Sequence, residues 1–439
     1  MVYAVLNISA LRRRRSVVAA LPDRRAGSPE ISNSIWGPAL VVLFVAALLF
    51  RLQNLDMSPY GDEAYYYFIT HDLGAWWNTA AYPVSGSTFP VFPLVYHLFA
   101  GNLLSLRAAN AVVGSSLVPL GILIMRELGI RRALAIVAGA FLAFDTILVQ
   151  FSGLAFLDML GALIALTAVL AYLRGRLALA AVLVAFAVME KEYYAILGIA
   201  LAADQLLARR RIYVELLLAA IPVLAWLALR YAVLGASLVY LISGHAHAEL
   251  TIGGVDHAIG SIALLPLGIA SAVLSPKLRA AAIYIVLFLS FQAVWGNAQG
   301  WYWCLSVALA TILAAHGAAL LLESRDHAVL RAAAVGALAV AAFSVQAWTT
   351  ERYLQTWHGG DLNKVAAYLD GQPAQPVDLV DCEWPYRYYP LGGPNRPATG
   401  IDQWDVATAR LAVACPGAPP APTDWAVRYR SGTYTVLGR

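Results

Sequence analysis

Met57-Ser-Pro-Tyr-Gly-Asp-Glu-Ala-Tyr-Tyr-Tyr67 lies just past an apolar run near 36–51. The stretch sets two adjacent carboxylates, Asp62 and Glu63, beside what reads as a hydrocarbon slab. Charges in that position are costly unless they serve a purpose. They open a long segment rich in aromatic and polar residues, where a lipid-borne molecule can meet a water-borne one. Asp62 can act as a general base for a hydroxyl group. Equally, an acid pair can simply mark the first turn of a helix, because carboxylates favour helix N-termini. The residues alone leave both readings open.

The rest of the chain fits that slab. Of 439 residues, 60% are hydrophobic and 13% charged, against about 25% charged in soluble domains, so the sequence reads as a polytopic membrane protein. The N-terminus is basic (Arg12 to Arg15, Arg24, Arg25), and the apolar run after it begins only at Trp36. That pattern suits a permanent helix rather than a cleaved signal peptide. The net charge of +4 comes from short basic clusters between apolar runs, which argues against nucleic-acid binding. Of the three cysteines, Cys304 falls in an apolar run. Cys382 and Cys415 fall in the tail and either pair or remain two unrelated thiols.

Further runs of spanning length occur near 108–126, 132–150, 157–173, 212–233, 258–275, 280–296, 301–321 and 328–349. The stretches 90–105 and 177–208 are ambiguous, and the positive-inside rule decides between the options. With 90–105 on the outer face and 177–208 crossing twice, breaking at Glu190-Lys191-Glu192, the chain has eleven spans. Its N-terminus is then cytoplasmic and its C-terminus extracytoplasmic. Under that topology 18 of the 30 Lys and Arg residues lie inside, against 7 of the 26 acids. The expected fold is therefore an all-α polytopic membrane protein with about eleven helices and a small C-terminal extracytoplasmic α/β domain. The expected parts are a basic cytoplasmic N-terminus (1–35), a transmembrane domain (36–349) and a soluble domain (350–439). The first external loop, 52–107, would carry the acids, with Asp62 to Leu73 a short amphipathic helix. In the tail, Asp361 to Asp370 reads as a helix, while Val377 to Cys382 and Trp425 to Leu437 alternate like strands.

The same topology gathers the polar chemistry on one face. Asp62, Glu63, Asp158, the Glu190-Lys191-Glu192 trio and the His245/His247/Glu249 cluster all fall on the outer side. Arg107 and Asp145 fall at outer span ends. Asp158 is either functional, as intramembrane acids commonly are, or a carboxylate solvated at a helix end. Asp145 either hydrogen-bonds a neighbouring helix or acts directly. Lys191 can neutralise a phosphate or pair with Glu190 or Glu192. Arg107 can grip a phosphate in a fork or snorkel to the interface. His245 and His247 read more readily as exposed loop histidines than as metal ligands. The pooled acids can take a divalent cation, but no ligand spacing demands one. No Walker loop, dinucleotide fingerprint, heme or iron–sulfur spacing is present.

Leu106-Arg-Ala-Ala-Asn-Ala-Val-Val-Gly-Ser-Ser-Leu-Val-Pro119, Met125-Arg-Glu-Leu-Gly129, Ala143-Phe-Asp-Thr146 and Phe156-Leu-Asp158 together resemble the protein O-mannosyltransferases. These are GT-C glycosyltransferases, like the lipid A aminoarabinose transferases. The pattern covers roughly 36–210. It implies the GT-C fold and transfer of a sugar from a polyprenyl-phosphate donor, with inversion, to a protein, glycan or lipid acceptor outside the plasma membrane. It implies that Asp62 is the catalytic base or orienting carboxylate, with Glu63 its partner and Asp158 a further catalytic acid. Arg107 and Lys191 would bind the donor phosphate, with Asp145, Glu190, Glu192, His245 and His247 as possible supporting residues.

The chain departs from the pattern at Gly153, where the family has a basic residue. It departs again at Phe89-Pro-Val-Phe-Pro-Leu94, which lacks the family's lysine. The loop 234–257 is too short for the MIR domain of the fungal and animal enzymes, which points to a bacterial or archaeal relative. Two other classes compete with this reading: a transporter of lipid-linked sugars or ions, and a non-catalytic partner of a glycosyltransferase complex. Transporters favour repeats and acids at the bilayer midplane, and the chain shows no repeat and gathers its acids on one face.

Overall fold

The computed structural model describes residues 36–55, 63–79, 90–210, 214–234, 261, 264–295, 300–323, 327–356, 361–373, 375, 377–380, 398–399, 410–415 and 418–439. Asp62, His245, His247, Glu249 and Cys382 lie outside them. Residues 1–41 and 42–439 form separate units, and the contacts below all belong to the second.

The described helices are α1 (Trp36–Arg51), α2 (Glu63–His71), α3 (Leu73–Thr79), α4 (Val91–Tyr96), α5 (Leu103–Glu127), α6 (Arg132–Phe144), α7 (Thr146–Gly153), α8 (Asp158–Leu173), α9 (Leu177–Val188) and α10 (Ala195–Arg209). They continue with α11 (Val214–Leu218), α12 (Ala220–Leu234), α13 (Leu265–Leu274), α14 (Arg279–Trp295), α15 (Cys304–Glu323), α16 (Ala328–Thr356) and α17 (Asp361–Asp370). Among the described residues, four helices are long and apolar enough to cross a membrane: 103–127, 276–293, 304–323 and 328–352. The pair α6 and α7, bent by 47°, makes a fifth. Shorter apolar helices, including α1, α8, α9 and α13, accompany them. Helix α15 forms the buried centre, whereas the apolar side chains of α16 are largely exposed. An apolar helix with an exposed surface is what contact with lipid hydrocarbon requires.

The run 132–150 is a broken helix, not a straight one. The carbonyls that the break frees at the end of α6 are met by Arg51, which donates to Ala143 O at 2.7 Å and also to Ser152 Oγ at 2.7 Å. The amides freed at the start of α7 are met by Asp145, whose carboxylate accepts from Ile147 N at 3.0 Å and Leu148 N at 3.2 Å. A helix end buried in apolar surroundings needs such partners. Asp145 is therefore an N-cap, with Ser261 Oγ donating to it at 3.3 Å. The stretch 212–233 is likewise two helices, α11 and α12. Where 177–208 was expected to break, α9 ends at Val188 and α10 starts at Ala195, with Glu190-Lys191-Glu192 between. Helix α4 has six residues, a rise of roughly 9 Å at 1.5 Å per residue, far short of a crossing.

The tail holds α17 and a five-stranded sheet of order β2-β1-β3-β5-β4, namely β1 (Val377–Val380), β2 (Ala398–Thr399), β3 (Leu411–Ala414), β4 (Ala426–Ser431) and β5 (Tyr434–Gly438). Strand β1 runs parallel to both β2 and β3, and β5 runs antiparallel to β3 and β4. All four residues of β1 are buried. The strand is covered on both faces, so its alternating sequence does not become alternating exposure. Val365 and Leu369 of α17 pack on Val377, Leu379, Val413 and Val436, and Tyr368 stacks on Tyr429 at 4.6 Å. Cys415 is disulfide-bonded and Cys304 is free. Cys382, its partner in one of the two readings of the sequence, lies outside the described residues.

Candidate active site

Glu63 opens α2 and is fully buried, as is Arg107 in the second turn of α5. The guanidinium grips the carboxylate in a fork: Nε donates to Oε1 and Nη2 to Oε2, both at 2.6 Å. Arg107 Nη1 donates to Leu55 O at 2.7 Å, and Ala155 N donates to Glu63 Oε1 at 2.7 Å. Burial of this kind rules out the snorkelling alternative for Arg107. The fork also directs its charge at Glu63 instead of at open space, and a bidentate charge-assisted pair is among the strongest side-chain contacts.

Three residues after Ala155, Asp158 begins α8 with its carboxylate fully buried. A carboxylate simply solvated at a helix end is therefore excluded. Lys191 Nζ lies 3.6 Å from Asp158 Oδ2. Of the expected ion-pair partners, neither Glu190 nor Glu192 is the one that the lysine takes. The ammonium also sits 4.9 Å from the centre of the Tyr302 ring. Tyr193 donates its hydroxyl hydrogen to Asp158 Oδ1 at 3.0 Å, and Tyr194 donates to the Asp158 carbonyl at 2.7 Å. The turn between α9 and α10 thus supplies the lysine and two tyrosines, all aimed at one acid.

The two clusters share a short connection. Residues 154–157, between α7 and α8, carry the amide that holds Glu63 and lead straight into Asp158. Phe156 in that connection meets Tyr66 of α2 edge-on, with ring centres 5.7 Å apart. Its course is fixed by Asn110 of α5, whose amide donates to the Leu154 and Phe151 carbonyls, while Tyr96 donates to Asn110 Oδ1 at 2.6 Å. Tyr96 belongs to α4, and Val91 N of that helix bonds Met189 O at 3.4 Å. The first loop, the 154–157 connection and the α9–α10 turn are therefore one hydrogen-bonded assembly.

Sequence reasoning missed Arg51, Tyr96 and Asn110. A signal existed for Asn110, since Arg107, Asn110 and Gly114 lie at i, i+3 and i+7, on one face of α5. At Gly114 a side chain would collide with Ser152 of α7, so that face is where α5 and α7 touch. Arg51 had no such signal, as it reads as the end of a span. Among the described residues, no three His, Cys, Asp or Glu side chains converge as a metal site.

Residues 41–203 match the model of the dolichyl-phosphate-mannose-protein mannosyltransferase family. No curated protein matches the chain. Among solved structures, ArnT from Cupriavidus metallidurans in the apo state superposes with a TM-score of 0.64 at 16% identity, covering 91% of this chain and 98% of that one. The same protein bound to undecaprenyl phosphate gives a TM-score of 0.60 at 14% identity, covering 92% and 98%. The chain has the fold of ArnT, the GT-C architecture that the sequence resemblance implied, and its match to the mannosyltransferase family model spans the segment that builds the two buried ion pairs.

Proposed function

We propose that the chain is a multi-pass membrane glycosyltransferase. It moves a sugar from a polyprenyl-phosphate-linked donor to a protein, glycan or lipid acceptor on the extracytoplasmic face, with inversion. The observation that carries this reading is the hydrogen-bonded assembly that brings Glu63–Arg107 and Asp158–Lys191 to one short connection. It lies within the segment matching the mannosyltransferase family, on a fold shared with a protein that binds undecaprenyl phosphate.

The residues divide the work as follows. Arg107 is a positioning residue. It fixes Glu63, and through one peptide unit of about 3.8 Å it limits where Asp62 can reach. Lys191 is the cation for the donor phosphate, with Asp158 and Tyr302 holding it in place. In the reaction an acceptor oxygen forms a bond to the anomeric carbon from the face opposite the phosphate. The bond from that carbon to the phosphate oxygen breaks, and polyprenyl phosphate leaves with the electron pair. Asp62 receives the acceptor proton, and Lys191 offsets the charge gathering on the leaving phosphate. With the acids on the extracytoplasmic side, as the charge asymmetry suggests, these events occur where donor and acceptor can meet.

Asp62→Asn tests the assignment of the base. In membranes carrying the variant, transfer from a radiolabelled polyprenyl-phosphate sugar should fall about 100- to 10,000-fold, the usual range for loss of a general base. Full activity in that variant refutes the role.

A further inference from the structure

Glu190 has no part in the pairs described above, yet it is fully buried and neither of its carboxylate oxygens has a hydrogen-bond partner. Its backbone amide closes the end of α9 on the Phe186 and Ala187 carbonyls. Its side chain passes Gly161 of α8 closely enough that a Cβ there would lie 3.1 Å from Glu190 Cγ. The lysine next to it in the chain is turned to Asp158, whose Oδ2 also lacks a hydrogen bond. A buried carboxylate without donors is unfavourable by itself, and a ligand that brings hydrogens to it relieves that cost. The lipid phosphate cannot, because a carboxylate repels it. The hydroxyl-bearing part of the same donor can.

Resting on the donor reading above, we propose that Glu190 is the hydrogen-bond acceptor for hydroxyl groups of the transferred sugar. It selects the sugar, whereas Lys191 serves the lipid phosphate whatever sugar it carries. Glu190 precedes Lys191 in the turn between α9 and α10 and lies within electrostatic reach of both Lys191 and Asp158.

The test uses the full-length protein in lipid nanodiscs, with undecaprenyl phosphate and its mannosyl, glucosyl and galactosyl derivatives as probes. Wild-type protein should bind at least one sugar-bearing lipid about tenfold more tightly than bare undecaprenyl phosphate, the effect of hydrogen bonding to a charged group. In Glu190→Gln that ratio should collapse to about twofold or less, with binding of bare undecaprenyl phosphate unchanged. The melting temperature of the variant should hold or rise, since a buried carboxyl without partners is replaced by an amide of the same shape. A structural glutamate would instead lower it.

An unchanged ratio in Glu190→Gln overturns the assignment, as does a wild-type protein that binds bare and glycosylated lipids alike. A preference abolished by a chelator would assign the carboxylate to a cation and also overturn it. If wild-type protein binds none of these lipids, the donor reading itself fails and Glu190 loses its sugar. If it binds them and only the Glu190 ratio is unmoved, the donor reading stands alone.

Discussion

Arg107 and Lys191 look alike in the sequence, as single cations near an outer membrane edge, but the structure separates them. The guanidinium faces a carboxylate in an ideal fork, whereas the ammonium stands at 3.6 Å from its acid with an aromatic ring on another side. Arg107→Lys should therefore lower the melting temperature of the purified protein, because a lysine cannot reproduce two parallel bonds. Arg107→Ala should cost more, about 3–5 kcal/mol, by leaving the buried Glu63 carboxylate without its guanidinium. Lys191→Met has the same structural consequence for Asp158, which confounds any loss of activity. Adding Asp158→Asn should restore the melting temperature without restoring donor binding. Recovery of both in the double variant would reduce Lys191 to a structural ion pair. None of these pairings is legible in the sequence. Glu63 and Arg107 are 44 positions apart and Asp158 and Lys191 are 33, and spacing that long carries no geometry.

At the scale of elements, the decisive features are breaks in helices, and the sequence revealed only one of them. The trio Glu190-Lys191-Glu192 interrupts an apolar run with three charges, so a break there was readable, and α9 and α10 flank it. The break at Asp145 was hidden, since a single acid in an apolar run looks like an embedded charge until its capping bonds are seen. Asp145→Ala should destabilise the protein by about 1–2 kcal/mol through the lost N-cap, whereas Asp145→Asn, which can still cap, should cost less. Thermal unfolding of the two variants distinguishes them, and equal losses would mean that the capping bonds are not what Asp145 contributes. Gly161 poses a packing test, because a Cβ there would run into the Tyr194 ring. Gly161→Ala should push Tyr194 away from the Asp158 carbonyl and lower both stability and transfer activity. A variant with wild-type values for both would show that the turn adjusts without cost.

For the molecule as a whole, composition alone announced a membrane protein, and 60% hydrophobic residues leave little alternative. The number and direction of the crossings rest on charge asymmetry. They predict that an impermeant thiol reagent applied to intact cells labels Thr423→Cys in the tail and spares Arg174→Cys, both in a Cys304→Ala background. Labelling of Arg174→Cys from outside would invert the topology and place the acids on the wrong face. The tail shows how local patterns mislead at this scale, since β1 alternates in sequence but is buried throughout because both of its faces are covered.

In the reaction proposed for this protein, one sugar leaves a polyprenyl phosphate and joins an acceptor. The most direct measurement incubates the purified, reconstituted chain with polyprenyl-phosphate hexoses labelled in the sugar, together with cell extract, and follows the label. With at least one hexose the label should move into a new, lipid-free or differently anchored product, and in Asp62→Asn this movement should fall about 100- to 10,000-fold. Label that stays on the polyprenyl phosphate with every donor, or that moves equally well in Asp62→Asn, contradicts the proposed reaction.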